Sequence, residues 1–124
     1  MDIEVCSSGT FAENGEFASY NAIEAMKLND IDLKYHRSTN IANSNILEMD
    51  LILCATISHK VSVMYMYPEI KEKVYTMKEY AECMGENRDY DIKDPWGYNL
   101  DTFLSCAEEI KMCVDKTIDR IQNS

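Results

Sequence analysis

Leu51-Ile52-Leu53-Cys54-Ala55 decides the fold class, because it is a continuous apolar run with polar residues on both sides. A half-exposed strand alternates apolar and polar side chains, whereas a strand covered on both faces does not need to. The run therefore predicts a buried parallel strand. Outward from it, Ser58 reads as the N-cap of a helix that reaches Tyr67 and stops at Pro68. Val74-Tyr75-Thr76-Met77 reads as the next strand, and Lys78 to Cys83 as a helical turn. Upstream, Ile3-Glu4-Val5-Cys6 alternates and predicts a short strand closed by Ser7-Ser8-Gly9-Thr10. Ala18 to Leu28 has a helical pattern, broken by Asn29-Asp30, and Ile31 to Ser44 reads as a loop with a short helix after Asn43. Strands alternating with helices imply α/β architecture, a parallel sheet flanked by helices in three layers.

The C-terminal third holds a long loop and a long helix. Gly85 to Tyr98 is polar and irregular, and loops of that length in compact domains usually serve function. The last helix starts at Asn99 as N-cap and runs to Ile121. Leu100, Phe103, Leu104, Ala107, Ile110, Val114, Ile118 and Ile121 form its expected apolar stripe.

Composition narrows the function classes. The 124 residues suit one domain with one core, and 46% of them are hydrophobic, a globular composition. A net charge of −10 argues against nucleic acid and anionic membranes as partners, since both are bound through surplus Lys and Arg. The opening Met1-Asp2-Ile3-Glu4 is acidic and does not read as a signal peptide, and no apolar run approaches a membrane span. Five scattered cysteines suit a reducing cytoplasm. Cys106 and Cys113 lie about 10 Å apart along a helix axis, too far for a disulfide. Neither Cys-x-x-Cys nor His-x-x-x-His occurs, so no metal or other cofactor is expected. Asp89, Asp91 and Asp94 share a loop but lack the rest of a Ca²⁺ ligand pattern, and read as solvated.

Asp94-Pro95-Trp96-Gly97 is the stretch most suggestive of chemistry. Pro95 fixes its own φ and biases Asp94 toward extended geometry, so a carboxyl projects from a stiff loop. With Ser7-Ser8-Gly9-Thr10, His36-Arg37-Ser38 and the Asn99–Ile121 helix, it resembles the low-molecular-weight protein-tyrosine phosphatases from Ile3 to Ile121. The bacterial type of that family includes protein arginine phosphatases. The resemblance implies a cytoplasmic phosphomonoesterase acting on phosphorylated proteins, tyrosine or arginine. It implies that Asp94 is the general acid and then the base, that Trp96 walls the substrate cleft, and that Ser7 and His36 support the phosphate loop from outside.

The family nucleophile lies on a Cys-x5-Arg phosphate loop after a central first strand, in a four-stranded sheet of order 2-1-3-4. The sixth residue after Cys6, Cys54, Cys83, Cys106 and Cys113 is Ala12, Lys60, Asp89, Met112 and Asp119, never arginine. Arg88 follows Cys83 one position short. The expectation is an N-terminally incomplete 1–124 domain lacking a strand, loop and helix of roughly 30 residues. Such a chain should be inactive alone and prone to self-association through unpaired strands. Two other readings stand beside this one. In the first, the chain is a non-catalytic remnant or interaction module. In the second, it is an arsenate reductase-like protein with Cys54 on its strand, although Ile57 to Tyr67 supplies no resolving cysteine.

Overall fold

A computed structural model describes residues 3–83 and 89–123. Gly85 and Arg88, singled out above, lie outside the described residues, as does the acidic start at Met1 and Asp2. The described elements are, in order, α1 (Tyr20–Lys27), β1 (Ile52–Cys54), α2 (Ile57–Met66), β2 (Val74–Thr76), α3 (Met77–Ala81) and α4 (Leu100–Gln122). Short 3-10 turns occupy Ile41–Asn43, Ile46–Glu48 and Pro68–Lys73. The chain divides into two compact units. One comprises Met1–Ser44 with Asp94–Glu108, the other Asn45–Lys93 with Glu109–Ser124.

The second unit contains the sheet. β1 and β2 are parallel, with Ile52 opposite Val74, Leu53 opposite Tyr75 and Cys54 opposite Thr76. Parallel strands need a crossover, and α2 with the Pro68–Lys73 turn provides it. Cys54, Val63, Ile70, Val74, Thr76 and Ala81 are buried around this β-α-β unit. Fully burying a side chain of valine or isoleucine size stabilises by about 1.5–3 kcal/mol, so these few residues carry much of the unit.

The N-cap of α2 is Thr56, not the expected Ser58. The Thr56 hydroxyl accepts the His59 N–H at 3.1 Å. Asp91 Oδ1 accepts the Ile57 N–H at 2.7 Å, so two side chains satisfy two of the first-turn amides. α3 starts with a capping box. Thr76 Oγ1 accepts the Glu79 N–H at 3.1 Å, and Glu79 Oε1 accepts the Thr76 N–H at 2.9 Å. Glu79 also pairs with Lys60 Nζ at 2.5 Å, which ties α3 to α2.

Two further expectations fail. Ile3–Cys6 is not a strand: it has no ladder partner among the described residues, and Val5 is 83% exposed. Alternation marks a possible strand, but a strand exists only where a neighbour supplies backbone hydrogen bonds. The stripe proposed for α4 is displaced as well. Phe103 is buried as expected, but Cys106, Cys113 and Thr117 are the other buried positions, while Ile110, Val114 and Ile118 stay partly exposed. On a 3.6-residue wheel the buried line is rotated by roughly 70°. The cause is polar and aromatic anchoring to α3. Lys78 Nζ pairs with Glu109 at 2.8 Å, and Arg120 donates to the Tyr80 carbonyl at 2.8 Å while lying 4.1 Å from the Tyr80 ring centroid. Glu109, Cys113 and Arg120 share one face of α4, so that face turns toward α3.

Candidate active site

The four predicted site residues, Ser7, His36, Asp94 and Trp96, all belong to the first unit. Asp94 opens a double turn. Its Oδ1 accepts the Trp96 N–H at 3.0 Å, and the Pro95 carbonyl accepts the Tyr98 N–H at 2.9 Å. Gly97 sits at the third position of the latter turn with φ 83°, a conformation that favours glycine. Asn21, on α1, donates to the Tyr98 carbonyl at 3.1 Å and holds the far end of the turn. The Asn99 carboxamide then accepts both the N–H and the hydroxyl of Thr102, at 3.0 and 2.9 Å, and starts α4 as predicted. The Asp94 carboxylate is thus exposed on a turn fixed at both ends.

Trp96 is 77% exposed. With Gly97, Tyr98, Ser19, Tyr20, Asn21 and Phe103 it lines a shallow depression of ≈ 320 Å³. An open, aromatic-edged hollow suits a flat or long group more than a small ion.

Ser7 and His36 lie on two segments that the structure clasps together. Gly9 donates to Thr39 O at 2.9 Å and accepts from Ile41 N at 3.0 Å, which makes a parallel bridge with Asn40. Ser38 Oγ accepts the Glu16 N–H at 3.0 Å and donates to the Glu13 carbonyl. Arg37 lies 3.5 Å from the Phe17 ring centroid, beside the antiparallel Phe17–Arg37 bridge. Asn40 is a residue the sequence reading missed. Its side chain donates to the Ala12 carbonyl at 2.7 Å and accepts the Ala42 N–H at 2.9 Å, and its backbone N–H donates to Asn14 Oδ1 at 2.8 Å. No sequence periodicity marks it; an asparagine in a loop is the only cue. The side chains of Ser7 and His36 are exposed and make no hydrogen bond among the described residues.

Cys54, on β1 of the second unit, does not resemble an activated nucleophile. Burial pushes the Cys54 thiol up, and the nearby Lys60 charge offsets this only in part, with Glu79 pushing the same way as burial. A thiolate nucleophile needs the opposite shift. Asp89 accepts the Asp91 N–H at 2.9 Å and Asp91 caps α2, so these two carboxylates have structural partners. Among the described residues no cluster of His, Cys, Asp and Glu could hold a metal ion.

The family model for low molecular weight phosphotyrosine protein phosphatase matches residues 1–124. The chain belongs to that family. It is 29% identical over 120 residues to a protein-arginine-phosphatase of Geobacillus stearothermophilus, covering 97% of this chain and 78% of that protein. It is 29% identical over 111 residues to a protein-arginine-phosphatase of Bacillus subtilis, covering 90% and 71%. The solved arginine phosphatase from Geobacillus stearothermophilus superposes with a TM-score of 0.86 at 29% identity, over 97% of this chain and 75% of that one. A low molecular weight protein tyrosine phosphatase from T. tengcongensis superposes with a TM-score of 0.83 at 34% identity, over 93% and 76%. The α/β fold of the phosphatase family is therefore established for this chain. Among the described residues no helix is long and apolar enough to cross a membrane.

Proposed function

We propose that this chain carries the acid–base half of a protein phosphatase site, with Asp94 as general acid and base and Trp96 as the wall of the substrate cleft. The observation that carries the reading is the Asp94–Tyr98 turn: an exposed carboxylate beside an exposed tryptophan, on backbone pinned by Gly97 and Asn21. Phosphoryl transfer through a cysteine needs in-line positioning and a proton for the leaving oxygen. Asp94 protonates that oxygen as the phosphocysteine forms, then takes a proton from the water that hydrolyses it. Ser7 and His36 hold the phosphate loop in place by hydrogen bonds. The substrate is a phosphorylated protein, at tyrosine or at arginine, and the site of action is the cytoplasm.

No cysteine of the 124 residues is followed by arginine at the sixth position, so the chain is inactive by itself. Its activity requires a strand–loop–helix segment bearing Cys-x5-Arg. That segment would also cover the strand edges through which the chain otherwise associates with a second copy.

The test is hydrolysis of phosphotyrosine and phosphoarginine peptides by the 124-residue chain and by the chain joined to such a segment. The chain alone should be inert and the joined protein active. In the joined protein Asp94→Asn should lower kcat by roughly 10²–10⁴-fold, and Trp96→Ala should raise KM. Cysteine-dependent turnover by the chain alone, or unchanged kcat in Asp94→Asn, overturns the reading.

A further inference from the structure

In the second unit, α3 and α4 bring two thiols together. Cys83 Sγ and Cys113 Sγ are 2.6 Å apart. That is closer than non-bonded sulfurs sit, and only somewhat longer than the ~2.05 Å of a disulfide bond. Neither position is loose. α3 ends in a left-handed residue, Glu82 at φ 55°, whose N–H reaches Glu79 O at 3.3 Å. The next N–H, that of Cys83, reaches back to Lys78 O at 3.1 Å, and the two bonds form a Schellman close. The backbone at Cys83 is therefore fixed by the end of α3. Cys113 lies in the interior of α4 with no exposed surface. The Lys78–Glu109 ion pair at 2.8 Å joins the same two helices one turn before Cys113.

We propose that Cys83 and Cys113 are an oxidisable pair that closes to an intramolecular disulfide between α3 and α4. The exposures of the two residues set the order of events. Cys83 is half-buried and reachable; Cys113 is sealed. With a small-molecule disulfide as oxidant, the Cys83 thiolate attacks one oxidant sulfur. The S–S bond of the oxidant breaks and one thiolate leaves. The Cys113 sulfur then attacks Cys83 Sγ and its proton passes to the departing second small thiolate, which leaves as a thiol. Two protein thiols become one disulfide, and one oxidant disulfide becomes two thiols. Burial, the facing Cys83 thiol and the Glu109 carboxylate together push the Cys113 thiol up to about 12, with Lys78 opposing them, which agrees with its burial in making Cys113 the second thiol to react and not the first.

The experiment is incubation of the 124-residue chain with oxidised glutathione, followed by alkylation, intact mass and peptide mapping. Two of the five thiols should disappear with a loss of two hydrogens, and one peptide should join Cys83 to Cys113. Oxidation should raise the thermal midpoint by a few degrees, because the cross-link closes a loop of 30 residues. Cys113→Ser should trap glutathione on Cys83 without the cross-link. Should that buried substitution prevent folding, Cys83→Ser at the half-buried position carries the test, and it should abolish both the cross-link and the thermal shift. Five free thiols after oxidation, a cross-link through Cys6, or an unchanged thermal shift in Cys83→Ser overturns the proposal.

Discussion

Gly97 is the residue on which the geometry of Asp94 depends. Its φ of 83° costs an L side chain about 1–2 kcal/mol, while an added Cβ would meet nothing within 4 Å. Gly97→Ala should therefore destabilise by that amount through backbone strain alone. In the protein joined to a phosphate-loop segment it should also lower kcat, since the turn that aims Asp94 is distorted. Equal kcat with reduced stability would separate the two roles. Thr117 makes the opposite case. It is buried, and its hydroxyl finds no hydrogen-bond partner among the described residues. Thr117→Val keeps the shape and removes an unsatisfied polar atom, so denaturant unfolding should show no loss, or a gain of about 1 kcal/mol.

At the scale of elements, the short α3 is held by its capping box and by Lys60. Burial pushes the Glu79 carboxyl up, but the hydrogen bond from Lys60, the Thr76 N–H and the Lys60 charge outweigh it and hold the group below its ordinary 4.5. A carboxyl depressed in the folded state stabilises fully above its unfolded value and loses that contribution as pH falls through the folded one. Stability should thus decline below about pH 4.5, and Glu79→Gln should flatten the decline while costing about 1–2 kcal/mol at neutral pH. Urea unfolding at several pH values measures both. The same elements show what could be read from sequence. β1, β2 and α4 were legible because an apolar run, a β-branched stretch and a long helical repeat each carry their own signal. The N-cap of α2 was not, because Thr56 and Ser58 are both competent caps and the choice depends on where β1 stops. The buried face of α4 was not, because Lys78, Tyr80 and Cys83 select it from outside the helix. Asp94 was legible as a local turn signal. The clasp around Asn40 was not, because its partners lie up to 28 residues away.

For the molecule as a whole, opposing forces act on association. A net charge of −10 on 14.3 kDa makes copies repel. Against this, the first unit exposes Val5 at 83%, Phe11 at 94% and Phe17 at 70%, and the second has a parallel sheet of two strands, each with one edge unpaired among the described residues. Two strands are a marginal sheet, and open edges recruit further strands. Salt decides between the two. At 0.1 M the screening length is about 10 Å, so repulsion fades while apolar and backbone attraction persist. Sedimentation of the chain alone should therefore show a monomer at low salt and low concentration, and larger species as either rises. Val5→Glu should reduce that growth, since it removes an exposed apolar side chain and adds to the charge that makes copies repel. A monomer at every salt and concentration, unfolding in one sharp transition, would show that the exposed edges are not adhesive and that the two-stranded sheet is sufficient by itself.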